Sequence, residues 1–114
     1  MPSLRELGPG HCELLLRSER FGRVSLLTPH GVDVVPVNYV VQDRAIVVRT
    51  APGSVLARYA HGNHLVFEVD AVDATRWSGW SVIARGPGEV LDVDLTVMPP
   101  AGLRPFSSCC SSRV

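Results

Sequence analysis

The chain has 114 residues, and its 11 basic and 11 acidic side chains leave no formal net charge. This length suits one domain with a single core, and the charge balance gives no support for broad attraction to nucleic acid or to an anionic membrane. All 11 basic residues are arginines. A Schiff-base lysine and the lysine of a phosphate-binding P-loop are therefore both excluded.

The sequence has no secretory signal pattern, and no apolar run approaches the roughly 20 residues that span a bilayer. Cys12 stands alone, whereas Cys109 and Cys110 are adjacent. This spacing is neither a disulfide framework nor a zinc-binding pattern. We therefore predict a cytoplasmic protein with reduced thiols.

The first predicted elements are a helix and a β-hairpin. Apolar residues at helical spacing predict a helix over 11–18. Two segments rich in β-branched residues, 22–28 and 32–41, flank a turn-forming Pro-His-Gly sequence and predict a hairpin. Pro36 has no N–H to donate, so we expect it at a sheet edge or a bulge.

A third strand and the central helix follow. Residues 45–50 predict a strand that pairs with the second strand of the hairpin. Ser54 is a typical helix N-cap and Gly62 a typical C-terminal stop, so a helix is predicted between them. Beyond it, residues 64–72 and 80–93 predict two more strands, the second interrupted by Gly-Pro-Gly as at a barrel bend.

The whole pattern favours a mainly β fold, an antiparallel barrel of about five to six strands with short helices at its ends. We expect residues 1–92 to form this domain. Residues 93–114 lack periodicity, apart from a helical turn predicted near 94–98, and we expect an irregular or disordered C-terminal segment there.

The strand-to-helix corner carries the first candidate binding site. Arg49 supplies a charged fork of donors, and Thr50 and Ser54 supply hydroxyls close by, a combination that suits a phosphate monoester. The same residues also have an ordinary structural interpretation. Ser54 then only caps the helix, Thr50 completes the strand, and Arg49 is solvated. The local pattern leaves both interpretations open.

Two other pairs of polar residues fit an ordinary structural role better than a catalytic or metal-binding role. Glu68 and Asp70 alternate on one predicted strand and face the same side, as paired catalytic carboxylates would, but a solvated outer face gives the same pattern. His61 and His64 are candidate metal ligands only if they share a face, and Gly62 between them predicts a helix end. We predict no metal site.

Five segments in order carry a resemblance to a known family: ERFGRVSL, VVPVNYVV, AIVVRTAPGSVL, HLVFEVD and GWSVIARGPGEV. Together they resemble the pyridoxamine 5′-phosphate oxidase-like proteins, which are FMN-binding split β-barrels. The resemblance covers about residues 10–92. It implies a split barrel, with the flavin phosphate held at the sheet-to-helix corner.

The resemblance also implies the cofactor-binding residues. Arg49, Thr50 and Ser54 would contact the phosphate. The main chain around Val37 and Asn38 would run beside the isoalloxazine ring, and Trp80 and Ser81 would approach the flavin from the neighbouring part of the site.

Two positions depart from the family pattern. Relatives often carry a basic residue directly after the helix-start hydroxyl, where this chain has Val55, also a candidate cofactor contact. One lost charge-assisted hydrogen bond costs about 1.5–3 kcal/mol, roughly ten- to a hundred-fold in affinity. Relatives also continue through a helix into a final strand, a pattern that residues 99–114 do not resemble.

The resemblance implies a flavoprotein oxidoreductase that uses FMN to move electrons or hydride to or from a small molecule. It also implies a homodimer with cofactor sites between the subunits. Two alternatives keep the fold: a reductase that uses an 8-hydroxy-5-deazaflavin coenzyme, and a non-catalytic cofactor-binding dimer. A small barrel that binds RNA or single-stranded DNA is disfavoured, because it needs basic grooves and exposed aromatic side chains.

Overall fold

Nine β-strands and two short helices make up the described part of the chain, which in this computed structural model comprises residues 4–43, 45–76, 78–92, 95–98 and 108–113. No helix in these ranges is long and apolar enough to cross a bilayer. In chain order the elements are β1 (Leu4–Glu6), α1 (Pro9–Ser18), β2 (Phe21–Thr28), β3 (Gly31–Gln42), β4 (Ala45–Arg49), α2 (Val55–Tyr59), β5 (His64–Asp73), β6 (Ser78–Pro87), β7 (Glu89–Asp92), β8 (Leu95–Met98) and β9 (Ser108–Arg113).

The strands form one hydrogen-bonded series in the order β1-β9-β6-β5-β2-β3-β4-β8-β7, and neighbouring strands are antiparallel. β3 joins the two halves, because residues 31–38 pair with β2 whereas residues 39–42 pair with β4. The segment β6–β7 makes a second crossing: β6 pairs with β5 and β7 pairs with β8, with Gly88 between them. The predicted split barrel with short helices is confirmed.

The predicted helices, hairpin and central strands are present with bounds close to those expected. The edge position predicted for Pro36 is also confirmed. Pro36 lies opposite Arg23 of β2, in the part of β3 that has a described neighbour on one side only. The Gly-Pro-Gly interruption is the bend at which β6 gives way to β7. Pattern and turn chemistry therefore located the elements that form the centre of the barrel.

The C-terminal part differs from the expectation. Leu95–Met98 is a strand paired with β4, not a helical turn, and Ser108–Arg113 is a strand between β1 and β6. Partner strands satisfy the backbone N–H and C=O groups whatever the side-chain pattern, so a segment without alternation can complete a sheet. The rest of the predicted irregular segment, 93–94, 99–107 and 114, lies outside the described residues, and the domain division at residue 92 stays a prediction.

The core lies on the inward face of the sheet, between its two halves and under the helices. Inward residues alternate with outward ones along the central strands, and Phe67 of β5 packs between Val24 of β2 and Ala84 of β6. α1 contributes Cys12 and Leu16 from one face. The other buried apolar residues are Leu26, Val37, Tyr39, Ile46, Val48, Leu56, Ala60, Leu65, Val69 and Val82.

We expect Gly88→Ala to destabilise the fold. A Cβ atom at Gly88 would lie 2.3 Å from the backbone oxygen of Ala60 and 2.6 Å from Leu65 Cδ1, and the backbone oxygen cannot swing aside. The loss should be about 1–3 kcal/mol in the free energy of unfolding, measured by urea denaturation. Gly10→Ala is the matched control, since a Cβ atom there meets nothing within 4 Å and alanine favours the helix. Equal stability of the two variants would contradict this account of the bend.

Candidate functional site

The corner between β4 and α2 holds the three predicted phosphate contacts. Arg49 ends β4 with an exposed side chain, and Thr50 and Ser54 are half-buried beyond it. The intervening turn uses Gly53 at φ 80°, a left-handed conformation that favours glycine. The turn brings the hydroxyls together, with Thr50 Oγ1 and Ser54 Oγ 2.6 Å apart.

Hydrogen-bond accounting leaves one hydroxyl proton at this corner uncommitted. Ser54 Oγ accepts from the N–H of Ala57 at 3.2 Å, so the predicted N-cap is confirmed. The Thr50–Ser54 hydrogen bond uses the proton of one hydroxyl, and either residue can supply it. The second hydroxyl proton has no acceptor among the described residues and can be donated to an anion. The structural and the binding interpretations are therefore compatible.

Arg49 and Asn38 flank the last described residue pair of the β3–β4 ladder, although they are 11 positions apart in the sequence. Tyr39 pairs with Val48 across β3 and β4, and continuing this register by one residue places Asn38 opposite Arg49. Opposite residues of an antiparallel pair face the same side, and both side chains are exposed. No carboxylate among the described residues forms an ion pair with Arg49. The corner is thus continuous with the outward face of β3.

A cleft of about 610 Å³ opens beside Asn38, between the end of α1 and β3. Buried Leu16 and Tyr39 supply part of its apolar lining, while Phe21 and Val40 are exposed at its walls. This volume lies within the range of small-molecule sites. The remaining lining residues are Arg17, Glu19, Arg20 and Val41.

Tyr39 fixes the shape of the cleft. Its hydroxyl donates to the backbone oxygen of Leu16 at the end of α1, and its N–H donates to the backbone oxygen of Arg20 at 2.9 Å. Its ring packs edge-on against Phe67, with centroids 4.7 Å apart. Burial raises the pKa of the Tyr39 hydroxyl above its ordinary value, and the nearby charge of Glu19 adds to this effect. Tyr39 therefore stays a neutral donor that ties α1 to β3.

The remaining predicted site residues are Val37, Val55, Trp80 and Ser81. The side chain of Val37 is buried in the core, and the predicted contact between its main chain and a flavin ring stays a prediction. Val55 is half-buried and packs against the core, so no charged group takes its place at the corner. Trp80 and Ser81 lie on β6, separated from β4 in the strand order by β5, β2 and β3.

Sequence reasoning missed the arginines at the cleft. Arg17 and Arg20 line it, and Arg23 follows on the outward face of β2. The segment RSERFGR places these three arginines around the α1–β2 connection. In a chain with no net charge, this local concentration was a usable signal for an anion site.

The outward face of the β2–β3 hairpin is apolar around one ion-pair cluster. Phe21, Leu27, Val32 and Val34, which we term the outer apolar face, are each more than half exposed. Beside them, Arg23 binds the two carboxylates of β5 that were considered as a catalytic pair. Its Nε donates to Glu68 Oε1 at 2.9 Å, and its Nη2 donates to Glu68 Oε1 and, at 2.9 Å, to Asp70 Oδ1.

The ion-pair cluster changes the titration of its members. Hydrogen bonding to Glu68 raises the pKa of Arg23, although burial acts against this. Burial raises the pKa of Glu68 above its ordinary value and outweighs the opposing effect of Arg23. The described residues contain no group of three candidate metal ligands. His61, for its part, accepts from the N–H of Val90 through Nδ1 at 3.1 Å, a loop-fixing contact.

Comparisons with known proteins place the chain among flavoprotein folds. The family model for pyridoxamine 5′-phosphate oxidase matches residues 9–96. The FAD binding protein from Mycobacterium smegmatis is similar in structure, with 30% identity, a TM-score of 0.81, and coverage of 96% of this chain and 98% of that one. An FAD-binding protein from Mesorhizobium loti shares the fold, with 16% identity, a TM-score of 0.76 and 98% coverage of both chains. The search of curated proteins found no match.

We expect Ser54→Ala to cost about 1 kcal/mol in the free energy of unfolding, because the variant loses the N-cap of α2 as well as the bond to Thr50. Thr50→Val is the matched comparison. It removes the same hydroxyl–hydroxyl bond but keeps the cap, so its loss should be clearly smaller. Urea denaturation of both variants measures the difference. A Thr50→Val variant as unstable as Ser54→Ala would show that the cap is not what Ser54 contributes.

Proposed function

Because the chain belongs to the pyridoxamine 5′-phosphate oxidase family, we propose that it binds a flavin nucleotide and acts as an oxidoreductase on a small molecule. The observation that carries this proposal is the corner itself. Arg49 is exposed, and no carboxylate among the described residues forms an ion pair with it. Next to it in the chain, the hydroxyls of Thr50 and Ser54 bond to each other and leave one proton for a further acceptor. An anionic phosphate supplies the acceptors that these groups lack.

The donor set of the corner fits a flavin phosphate. Arg49 supplies a guanidinium, which can form two parallel hydrogen bonds to phosphate oxygens, and the hydroxyl pair adds one more donor. Asn38 lines the cleft, and its neighbour Tyr39 pairs with Val48, the residue before Arg49, so one ligand can contact the corner and the cleft together. A bound flavin would supply the electron and hydride chemistry, and the chain would supply position and charge.

Two flavins suit this arrangement. The family resemblance favours FMN, whereas the relative from Mycobacterium smegmatis at 30% identity is an FAD binding protein. Both carry a phosphate on the ribityl chain, so the corner by itself accepts either. Val55 contributes no charge there, which makes Arg49 the principal charged contact for that phosphate in the described structure.

The same chain is proposed to act as a cytoplasmic homodimer through the outer apolar face. Leu27 and Val32 lie directly opposite each other and are both about two-thirds exposed, at 65% and 68%. Together with Val34, these residues form an exposed apolar patch near the hairpin turn, and such a patch favours association. A partner subunit would also supply Trp80 and Ser81, since three strands separate their strand β6 from β4 in the sheet order.

We expect Arg49→Gln to weaken FMN and FAD binding by at least about ten-fold, because the charge-assisted hydrogen bonding of the guanidinium to the phosphate is lost at an exposed site. Riboflavin has the same ring but no phosphate, so its affinity should not change. Fluorescence quenching of each flavin on titration with protein measures all three affinities.

The control for this titration is Arg76→Gln, which removes one arginine from the β5–β6 turn, where its side chain is 83% exposed. This variant should bind like the wild type. Unchanged FMN and FAD affinity in Arg49→Gln would overturn the corner assignment. A wild-type protein that binds no flavin but binds the 8-hydroxy-5-deazaflavin coenzyme would show that the deazaflavin, not a flavin, is its cofactor.

For the homodimer, we expect Val34→Asp to raise the dimer dissociation constant by at least about ten-fold, because a carboxylate would have to be buried in the outer apolar face without a partner. Light scattering after gel filtration, over a range of protein concentrations, measures the mass. Leu14→Asp on α1 is the control, since Leu14 is 70% exposed but lies off that face. A monomeric wild type, or equal effects of the two variants, would contradict the proposed interface.

A further inference from the structure

We infer that the cleft between the end of α1 and β3 is a binding site for an anionic group carried on a flat apolar molecule, and that Arg20 is the side chain that selects the charge. The assignment of this group to the flavin or to its substrate rests on the proposed function. The preference of the cleft for an anion does not.

The charges that line the cleft favour an anion. Two arginines, Arg17 and Arg20, line the cleft, and Glu19 contributes the one carboxylate among its described lining residues. The two arginines differ in their other contacts. Arg17 pairs with Glu13 at 3.3 Å and donates to the backbone oxygen of Val41 at 3.4 Å. Arg20 is exposed, and no carboxylate of the described residues forms an ion pair with it. Its guanidinium is the one whose donors an incoming anion can use.

The apolar lining favours a flat body behind the charge. Phe21 is 71% exposed and Val40 59% exposed, on neighbouring strands at the same cleft. Covering such surfaces stabilises a complex by roughly 25 cal/mol per Å² of apolar area removed from water. The aromatic ring of a ligand would pack with its face on this apolar surface and reach the side-chain amide of Asn38 with its edge. A ligand with an apolar face and a polar edge is therefore the best match to the cleft.

The cleft is in reach of the corner. The backbone oxygen of Arg20 accepts from the backbone N–H of Tyr39, and Tyr39 pairs with Val48, the residue before Arg49. The backbones of Arg20 and the end of β4 are therefore two strand spacings apart, about 10 Å. A molecule held by one phosphate at the corner can extend over β3 and meet a second cation at Arg20.

Two sources can supply the anionic group. One is the second phosphate of FAD, and the other is a carboxylate or phosphate on a separate substrate. The chemistry that Arg20 recognises is the same in both cases. FMN, which lacks the second phosphate, separates them.

The test uses two fluorescent probes with the same aromatic body, anilinonaphthalene sulfonate, which is anionic, and N-phenylnaphthylamine, which is neutral. With flavin-free protein, the anionic probe should bind about ten-fold more tightly than the neutral one. Arg20→Gln should remove this preference and leave the affinity for the neutral probe unchanged. Because Arg20 is exposed and outside the core, the variant should fold as the wild type does.

Arg76→Gln is the charge control and should retain the preference. Equal binding of the two probes by the wild type, or an unchanged preference in Arg20→Gln, would overturn the inference whatever the flavin titration shows. FAD and FMN titrations of Arg20→Gln identify the source. A loss of FAD affinity relative to the wild type, with FMN affinity unchanged, assigns the group to the cofactor. FAD and FMN affinities that both stay at their wild-type values, with the probe preference lost, assign it to a separate anionic substrate.

Discussion

The arrangement of the site depends on Tyr39, at the point where β3 passes from one half of the sheet to the other. Three contacts hold it: the hydroxyl on Leu16, the N–H on Arg20, and the ring on Phe67. A buried hydroxyl without an acceptor would cost about 1–3 kcal/mol, so the end of α1 cannot move away from β3 cheaply. The cleft and its arginines are therefore set by a core residue, not by the loops around them.

The corner shows how few residues can serve both folding and binding. Ser54 caps α2 and also supports Thr50, whose hydroxyl it meets. Since a hydroxyl both donates and accepts, capping leaves the pair with one proton for a ligand. Val55, by contrast, turns to the core and cannot add a charge. The flavin binding that we propose at this corner would then depend strongly on Arg49, which the backbone holds at the end of β4.

The outward face of β2 and β3 links the proposed site to the proposed dimer. Phe21 belongs to the outer apolar face and also lines the cleft. A partner subunit that covered the outer apolar face would therefore lie at the border of the cleft. The Arg23 cluster lies on the same face. Arg23 pairs with two carboxylates of β5, so the cluster places one formal negative charge on an otherwise apolar surface. Its burial in an interface requires that these hydrogen bonds stay formed.

The sequence by itself determined the β-hairpin, both helices, the capped corner and the bend at Gly88, because turn chemistry, capping and alternation act over a few residues. It missed β1, β8 and β9, whose placement depends on backbone pairing with strands distant in the chain. Tertiary structure alone decided that Asn38 and Arg49 flank the same strand pair, that three strands separate β6, which carries Trp80, from β4 in the sheet order, and that Val55 packs against the core. The first two follow from strand register and order, which join residues by hydrogen bonds across the sheet and are not encoded in any single local segment. The third follows from the packing of α2 on the core.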